Sequence, residues 1–150
     1  MEGKSFFVRE FRIEWGQCDP AGIVFAPRFF DMFNESVILF FEACGLPPKR
    51  RMLEETGTLG FASVDVSARF LRPATYGDRV RIETALPTLG RSSLKFVHRL
   101  LHGADICVEC SETRVWVAQV DGPDGGISAV PILEQVRTAI EAQRGKGQAQ

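Results

Sequence analysis

PRFFDMFNESVILFFEAC, residues 27–44, is the stretch that decides the fold. Pro27 suits the first turn of a helix, where its missing N–H costs nothing, and Gly45 with the following prolines ends the helix. The apolar side chains cover most of the circumference of this predicted helix: Phe29, Phe30, Met32, Phe33, Val37, Ile38, Phe40, Phe41 and Cys44. A helix with so wide an apolar surface is predicted to be wrapped by a larger element.

The rest of the chain supplies strands that could do the wrapping. Residues 62–70 alternate apolar and polar side chains with a period of two, which predicts a half-buried strand. Further strands are predicted over residues 6–13, 79–86, 94–101 and 106–120, with a hairpin turn at residues 102–105. A short amphipathic helix over residues 132–143 precedes a tail, from about residue 144, that we expect to be disordered.

This order of elements predicts one α+β domain spanning residues 1–150. About five antiparallel strands would wrap around one long buried helix, which buries the apolar face of both elements at once. The outer face of the sheet and its edges would still need cover, so we expect a homo-oligomer.

Composition narrows the class of function. A chain of 150 residues is one domain in size, and its formal net charge of −1 gives no field that attracts nucleic acid or anionic lipid. Charged residues interrupt the most apolar stretch, which argues against a membrane span. The first residues lack the apolar run of a signal peptide, so we expect a cytoplasmic protein.

Neither the cysteines nor the histidines predict a metal site. Cys107 and Cys110 lie in a predicted strand, where positions three apart face opposite sides, so buried, inert thiols are favoured. His98 and His102 are separated by about 13 Å if they lie on a strand, which is too far to share one ion. We therefore predict no metal site from these residues.

The segment Ile13 to Phe30, IEWGQCDPAGIVFAPRFF, closely resembles the signature of the 4-hydroxybenzoyl-CoA thioesterase family of hotdog proteins. Three later segments are similar to the same family: CGLPP at residues 44–48, FLRPATYGD at residues 70–78, and GRSSLKF at residues 90–96. The resemblance covers roughly residues 11–117. It implies a hotdog fold, a homodimer or homotetramer with active sites at the subunit interface, and hydrolysis of an acyl-CoA thioester without a cofactor.

The resemblance assigns the catalytic carboxylate to Asp19 and assigns to Ala26 the backbone N–H that polarises the thioester carbonyl. Asp19 precedes Pro20, which biases it to an extended backbone, and a carboxylate can attack directly or take a proton from water. Free N–H groups at the start of the long helix suit a developing oxyanion. The competing interpretation of Asp19 is an Asx-turn that shapes the loop.

The remaining candidate residues concern the two ends of the substrate. Phe25 and Phe61 are candidate walls for an aromatic acyl group. By resemblance, Ser63 and Thr58 face the substrate from the neighbouring subunit. Asn34 falls where the aryl-CoA branch carries an aspartate that contacts a ring hydroxyl; its alternative is a helix Asn bonded to nearby backbone.

Cations are expected to meet the phosphates of CoA at the mouth of the cleft. The candidate cations are Arg91, Lys95 and Arg72, and the hydroxyls of Ser92 and Ser93 accompany Arg91. Two other functions stay open: a hotdog hydratase or dehydratase, and a non-catalytic acyl-CoA-binding protein. The hydratase chemistry requires a histidine close to the aspartate.

Overall fold

The long apolar helix packs against one antiparallel sheet. The computed structural model describes residues 5–120 and 125–149. The helices are α1 (Ala26–Ala43), α2 (Met52–Thr56) and α3 (Glu134–Ala149). The strands are β1 (Ser5–Arg12), β2 (Gly60–Phe70), β3 (Arg79–Ala85), β4 (Thr88–Leu89), β5 (Ser93–His102), β6 (Asp105–Val120) and β7 (Gly126–Ala129).

Five strands form the main path of the sheet in the order β1-β3-β5-β6-β2. They are the five that the sequence predicts, so the predicted α+β architecture is confirmed. The hairpin between β5 and β6 is also confirmed, because His102 pairs with Asp105 and Gly103 adopts a φ of 61° in the turn. The sequence misses β4, which pairs with β5, and β7, which pairs with β6; both are too short to show alternation.

Helix α1 buries one face against the sheet. Its buried residues follow helical spacing and are Phe29, Met32, Phe33, Ser36, Val37, Phe40 and Phe41. The opposite face is open within one chain: Phe30 is 39% exposed, and Asn34 is exposed as well. Most of the apolar circumference that the sequence suggests is therefore covered within one chain, and Phe30 is the exposed member of that set.

The C-terminal helix differs from the prediction in both of its ends. It begins at Glu134 and its backbone is helical to Ala149, whereas the sequence predicts a helix over residues 132–143. Val136 and Ile140 are fully buried in the cluster that contains Phe40, Phe41 and Trp116. Arg144 also fastens the helix, because its Nη2 donates to the carbonyl of Pro87 at 2.6 Å.

The described helices offer no candidate for a membrane span, since none of them combines the necessary length with the necessary apolar character.

Candidate active site

Asp19 lies in a tight loop that leads into α1. The two arms of this loop are paired, since the N–H of Phe25 donates to the carbonyl of Gln17 and the N–H of Asp19 donates to that of Ile23, both at 2.9 Å. Gly22 turns the chain with a φ of 84°. The N–H of Val24 donates to the carbonyl of Ala74 at 2.8 Å and fixes the loop to the segment after β2. The loop is thus held by backbone hydrogen bonds.

The Asp19 carboxylate is half-buried, and its two oxygens have different surroundings. Oδ1 accepts the N–H of Ala21 at 2.8 Å, which is an Asx-turn. Oδ2 has no hydrogen-bond partner within residues 5–120 and 125–149. The structural and the catalytic interpretations are therefore compatible, because one oxygen shapes the loop and the other stays open to a substrate or a water.

Ala26 is the first residue of α1 and presents a free donor. Phe25 precedes the helix and has no side-chain cap, Pro27 has no N–H, and the N–H of Arg28 donates to the carbonyl of Phe25 at 2.7 Å. Ala26 is an exposed residue, and among the described residues no acceptor meets its N–H. The start of α1 therefore offers an unpaired N–H at the positive end of the helix dipole.

A cavity of about 220 Å³ lies between α1, β2 and β6. Its lining residues are Phe30, Asp31, Phe33, Asn34, Ser63, Val66, Cys110, Glu112 and Arg114. It brings together two predicted substrate residues, Asn34 and Ser63, within the same chain. Asp19 and Ala26 do not line it.

A buried polar network supports the wall of this cavity. Glu112 Oε2 is 2.7 Å from His98 Nε2, and His98 Nδ1 is 2.8 Å from the hydroxyl of Thr84. Glu112 Oε1 accepts from Nε of Arg114 at 2.5 Å. Burial by itself raises the pKa of Glu112, but the hydrogen bond of His98 and the charge of Arg114 outweigh it and hold that pKa below its usual value. Glu112 is therefore ionised and can only accept hydrogen bonds, so His98 Nε2 donates to it.

Sequence reasoning missed Glu112 and Arg114 and treated His98 as a plain strand residue. A signal was present in β6, where Glu112 and Arg114 fall in phase with the inward residues Cys110 and Trp116. Charged residues at inward positions of a strand are uncommon unless they are paired.

Two of the predicted substrate residues, Phe61 and Thr58, are buried among other side chains of the same chain. Phe61 is buried and stacks on Phe41 with ring centroids 4.3 Å apart, so it lies in the core of the chain. Thr58 is also buried, and its hydroxyl accepts the indole N–H of Trp116 at 3.0 Å. Phe25 is 52% exposed beside the start of α1, where a wall residue can still meet a substrate.

The candidate CoA-binding residues divide into two places. Arg91, Ser92, Ser93 and Lys95 lie together at the start of β5. Arg72 follows β2 and lies 3.7 Å from Asp105. On β6, Ser93 pairs with Val115 and Phe70 pairs with Val108. The two places are therefore separated by the length of strand between Val108 and Val115, which is about 23 Å at about 3.3 Å per residue. Arg72 does not join the other four within one chain.

The four cysteines are free thiols with raised pKa values. Burial raises the pKa of Cys44 to about 11 and that of Cys110 to about 12, and it raises the pKa of Cys107 too. Cys18 adjoins the candidate aspartate, and burial together with Asp19 and Asp78 raises its pKa. A nucleophilic thiol needs a lowered pKa, so a cysteine mechanism is disfavoured.

The residues that the structure describes contain no group of three His, Cys, Asp or Glu side chains placed to hold a metal ion. At Cys107 a bulge between Leu100 and Leu101 interrupts the pairing of β5 with β6, and Cys107 and Cys110 both belong to the core cluster around Phe33. The alternation that would place them on opposite faces therefore does not hold there.

Residues 13–140 match the Thioesterase-like superfamily, and the chain belongs to that family. It is a thioester hydrolase with the hotdog fold. The chain is 37% identical over 116 residues to 4-hydroxybenzoyl-CoA thioesterase of Pseudomonas sp. (strain CBS-3), which covers 74% of this chain and 82% of the relative.

Solved structures agree in fold. A 4-hydroxybenzoyl-CoA thioesterase mutant complexed with 4-hydroxybenzoyl-CoA superposes with a TM-score of 0.78 at 29% identity, over 89% of this chain and 96% of the other. A gentisyl-coenzyme A thioesterase superposes with a TM-score of 0.73 at 28% identity, over 89% and 98% of the two chains. The family resemblance of the Asp19 segment is confirmed by these matches.

Proposed function

We propose that this enzyme hydrolyses an aryl-CoA thioester, such as a benzoyl- or hydroxybenzoyl-CoA, to the carboxylic acid and CoA. The observation that carries the proposal is the loop of Asp19: a carboxylate with an open oxygen and an unpaired N–H at Ala26 belong to one hydrogen-bonded loop. The relatives that act on 4-hydroxybenzoyl-CoA and gentisyl-CoA support an aromatic acyl group.

Asp19 supplies the attacking oxygen in one of two ways. Its open carboxylate oxygen attacks the thioester carbon, or it takes a proton from a water that attacks. In both routes the C–S bond breaks, water supplies the hydroxyl of the acid, and the thiolate of CoA receives a proton. The raised pKa values of the thiols leave Asp19 as the candidate on this loop.

The Ala26 N–H stabilises the negative charge that grows on the carbonyl oxygen. It is a backbone group at the start of an 18-residue helix, so its position is fixed before the substrate arrives. A preorganised donor of this kind contributes about 3–4 kcal/mol to stabilising the transition state.

The active enzyme is a homodimer, or a pair of dimers, with the catalytic loop of one subunit closing over the acyl cavity of its partner. Within one chain the cavity beside Asn34 and Ser63 does not include Asp19, which supports a site completed by a second subunit. Strand β2 ends the main sheet and exposes Val64, Val66 and Phe70 at 60%, 42% and 50%. These apolar side chains suit the subunit contact.

The two ends of the substrate meet different residues. Asn34 and Ser63 contact the acyl group, with Phe25 as a wall near the thioester. Arg91, Ser92, Ser93 and Lys95 meet the phosphates of CoA. Phe61 and Thr58 act only through the packing that holds α1 and β6, because both are buried.

Replacing Asp19 by Asn tests the proposal. Asn keeps an oxygen that can accept the N–H of Ala21, so the loop is preserved while the charge is lost. Thiol release from benzoyl-CoA and 4-hydroxybenzoyl-CoA should fall to near background, with the unfolding midpoint unchanged. Asp105→Asn, at the β5–β6 hairpin, is the matched control and should keep wild-type turnover. Full turnover by Asp19→Asn would refute the role of this carboxylate.

The alternative functions have less support. A hydratase needs a histidine as acid or base, but both ring nitrogens of His98 are engaged and the ring is fully buried. A non-catalytic acyl-CoA-binding protein would bind the ester without releasing thiol, and the same assay measures this.

A further inference from the structure

We infer that Arg114 selects the acyl group: its guanidinium donates a hydrogen bond to an acceptor oxygen at the end of the acyl group remote from the thioester. This inference rests on the proposed function, because it names which acyl groups the thioester hydrolase accepts.

Arg114 is a buried cation with unused donors. The residue is 5% exposed, and it lines the cavity between α1, β2 and β6. Its Nε donates to Glu112, which leaves the four N–H groups of the two terminal nitrogens. Within the described part of the chain these four have no acceptor. Among the described residues, the fully buried side-chain nitrogen or oxygen without a hydrogen-bond partner is Arg99 Nε. The terminal nitrogens of Arg114 also lack a partner, so they are not fully buried. The terminal nitrogens therefore keep accessible surface at a residue that lines the cavity, and the guanidinium carbon lies 5.7 Å from the centroid of the Phe61 ring.

A buried hydrogen-bond network holds the guanidinium of Arg114 in place. Glu112 accepts from Arg114 with one oxygen and from His98 with the other. His98 is fixed in turn by Thr84 and by stacking on Phe33, whose ring centroid is 5.2 Å away. A charged network that is buried and paired on three strands keeps its geometry. The guanidinium of Arg114 therefore has a fixed position at the cavity, whereas the side chain of a surface arginine can change its conformation to meet an anion.

Two further lining residues add hydrogen-bond donors, one beside Arg114 on the sheet and one on the helix that faces it. Ser63 lies directly across from Arg114 in the β2–β6 pairing, and Asn34 of α1 lines the same cavity. A hydroxyl and a neutral amide can each donate to an acceptor. The other walls include the side chains of Phe30 and Val66. An apolar, flat group with an acceptor oxygen at its far end fits this arrangement.

The volume identifies the part of the substrate. A cavity of about 220 Å³ is smaller than the pockets of about 300–1,000 Å³ that hold whole drug-sized ligands. It holds the acyl group, while the CoA moiety stays outside. The ligand class is thus an aryl group with a carbonyl, hydroxyl or other acceptor oxygen at its end remote from the thioester.

The test compares esters that differ only in that oxygen. The substrates are acetylbenzoyl-CoA and isopropenylbenzoyl-CoA, each as the 3- and the 4-isomer, in which C=O replaces C=CH₂ at nearly constant shape. The wild-type enzyme should prefer one acetyl isomer in kcat/KM by roughly 10- to 100-fold, the range of one hydrogen bond to a charged group. Arg114→Met should remove this preference while keeping turnover of the isopropenyl ester.

Arg79→Met is the matched control, because Arg79 is an exposed strand arginine outside the cavity, and it should keep the preference. If Arg114→Met does not fold, Arg114→Lys retains the charge without the fork and should reduce the preference at least threefold. Equal kcat/KM for both esters in the wild type overturns the inference while leaving the hydrolase standing. Failure of the wild type to release thiol from any aryl ester refutes the proposed function instead.

Discussion

At the scale of single residues, four polar or charged side chains of the sheet are buried at the cost of their hydration: Thr84, His98, Glu112 and Arg114. Glu112 is 5% exposed and stays ionised because His98 and Arg114 hold it. Removing one partner would leave a buried charge without compensation. The network is therefore a sensitive part of the fold as well as the wall of a cavity.

The lowered pKa of Glu112 predicts how stability depends on pH. A carboxylate with a folded pKa below the ordinary value of 4.5 stabilises the fold fully above pH 4.5 and loses this contribution as the pH falls through the folded pKa. Wild type should thus be more stable than Glu112→Gln at pH 7, and the difference should shrink below pH 4.5. Urea titrations at pH 3 to 7 measure it, and a difference constant over that range would contradict the prediction.

At the scale of elements, α3 is a packing element rather than a loose tail. Its residues Val136 and Ile140 are fully buried against the half of the core that contains Trp116. Arg137 and Arg144 fasten the helix to backbone carbonyls of Gly90 and Pro87. The helix thereby supports the segment that carries the candidate CoA-binding residues.

Shortening Ile140 to Ala should lower the free energy of unfolding by about 2–5 kcal/mol, because it removes buried methylenes and leaves a cavity. Glu141→Ala on the exposed side of the same helix should change it by no more than about 0.5 kcal/mol. Chemical denaturation of both variants measures the effect. Equal, small losses would mean that α3 is detached in solution.

At the scale of the whole molecule, the main sheet ends in a strand that is unusually apolar for an edge. Val64 of β2 is 60% exposed, and Phe30 on the open face of α1 is 39% exposed. Natural sheets protect such edges by charge or by cover. A second copy of the chain is the cover that we propose.

Val64→Lys should therefore shift the protein towards monomer and lower kcat/KM by at least tenfold, because a buried lysine opposes the contact and each site needs both subunits. Val8→Lys, on the opposite edge strand β1 and 49% exposed, is the control and should leave assembly and turnover unchanged. Sedimentation velocity together with thiol release checks both. A monomeric wild type with full activity would rule out the shared site.

Periodicity and local chemistry determined a large part of this protein. Two-residue alternation indicated β1, β2, β3, β5 and β6, and helical spacing indicated α1, because both patterns depend on neighbours in the chain. The loop of Asp19 was also accessible, since its turn formers and Pro20 act locally.

Tertiary structure decided what depends on residues far apart in the chain. The sequence could not pair Arg114 with Ser63 and Asn34, because the register of β2 on β6 and the position of α1 join segments 50 to 80 residues apart. It gave no sign that Phe61, a predicted pocket wall, packs on Phe41 in the core of the chain. It ended α3 too early, because the contacts of Ile140 and Arg144 come from distant segments. Local patterns specify elements, and only packing specifies which side chains share a cavity.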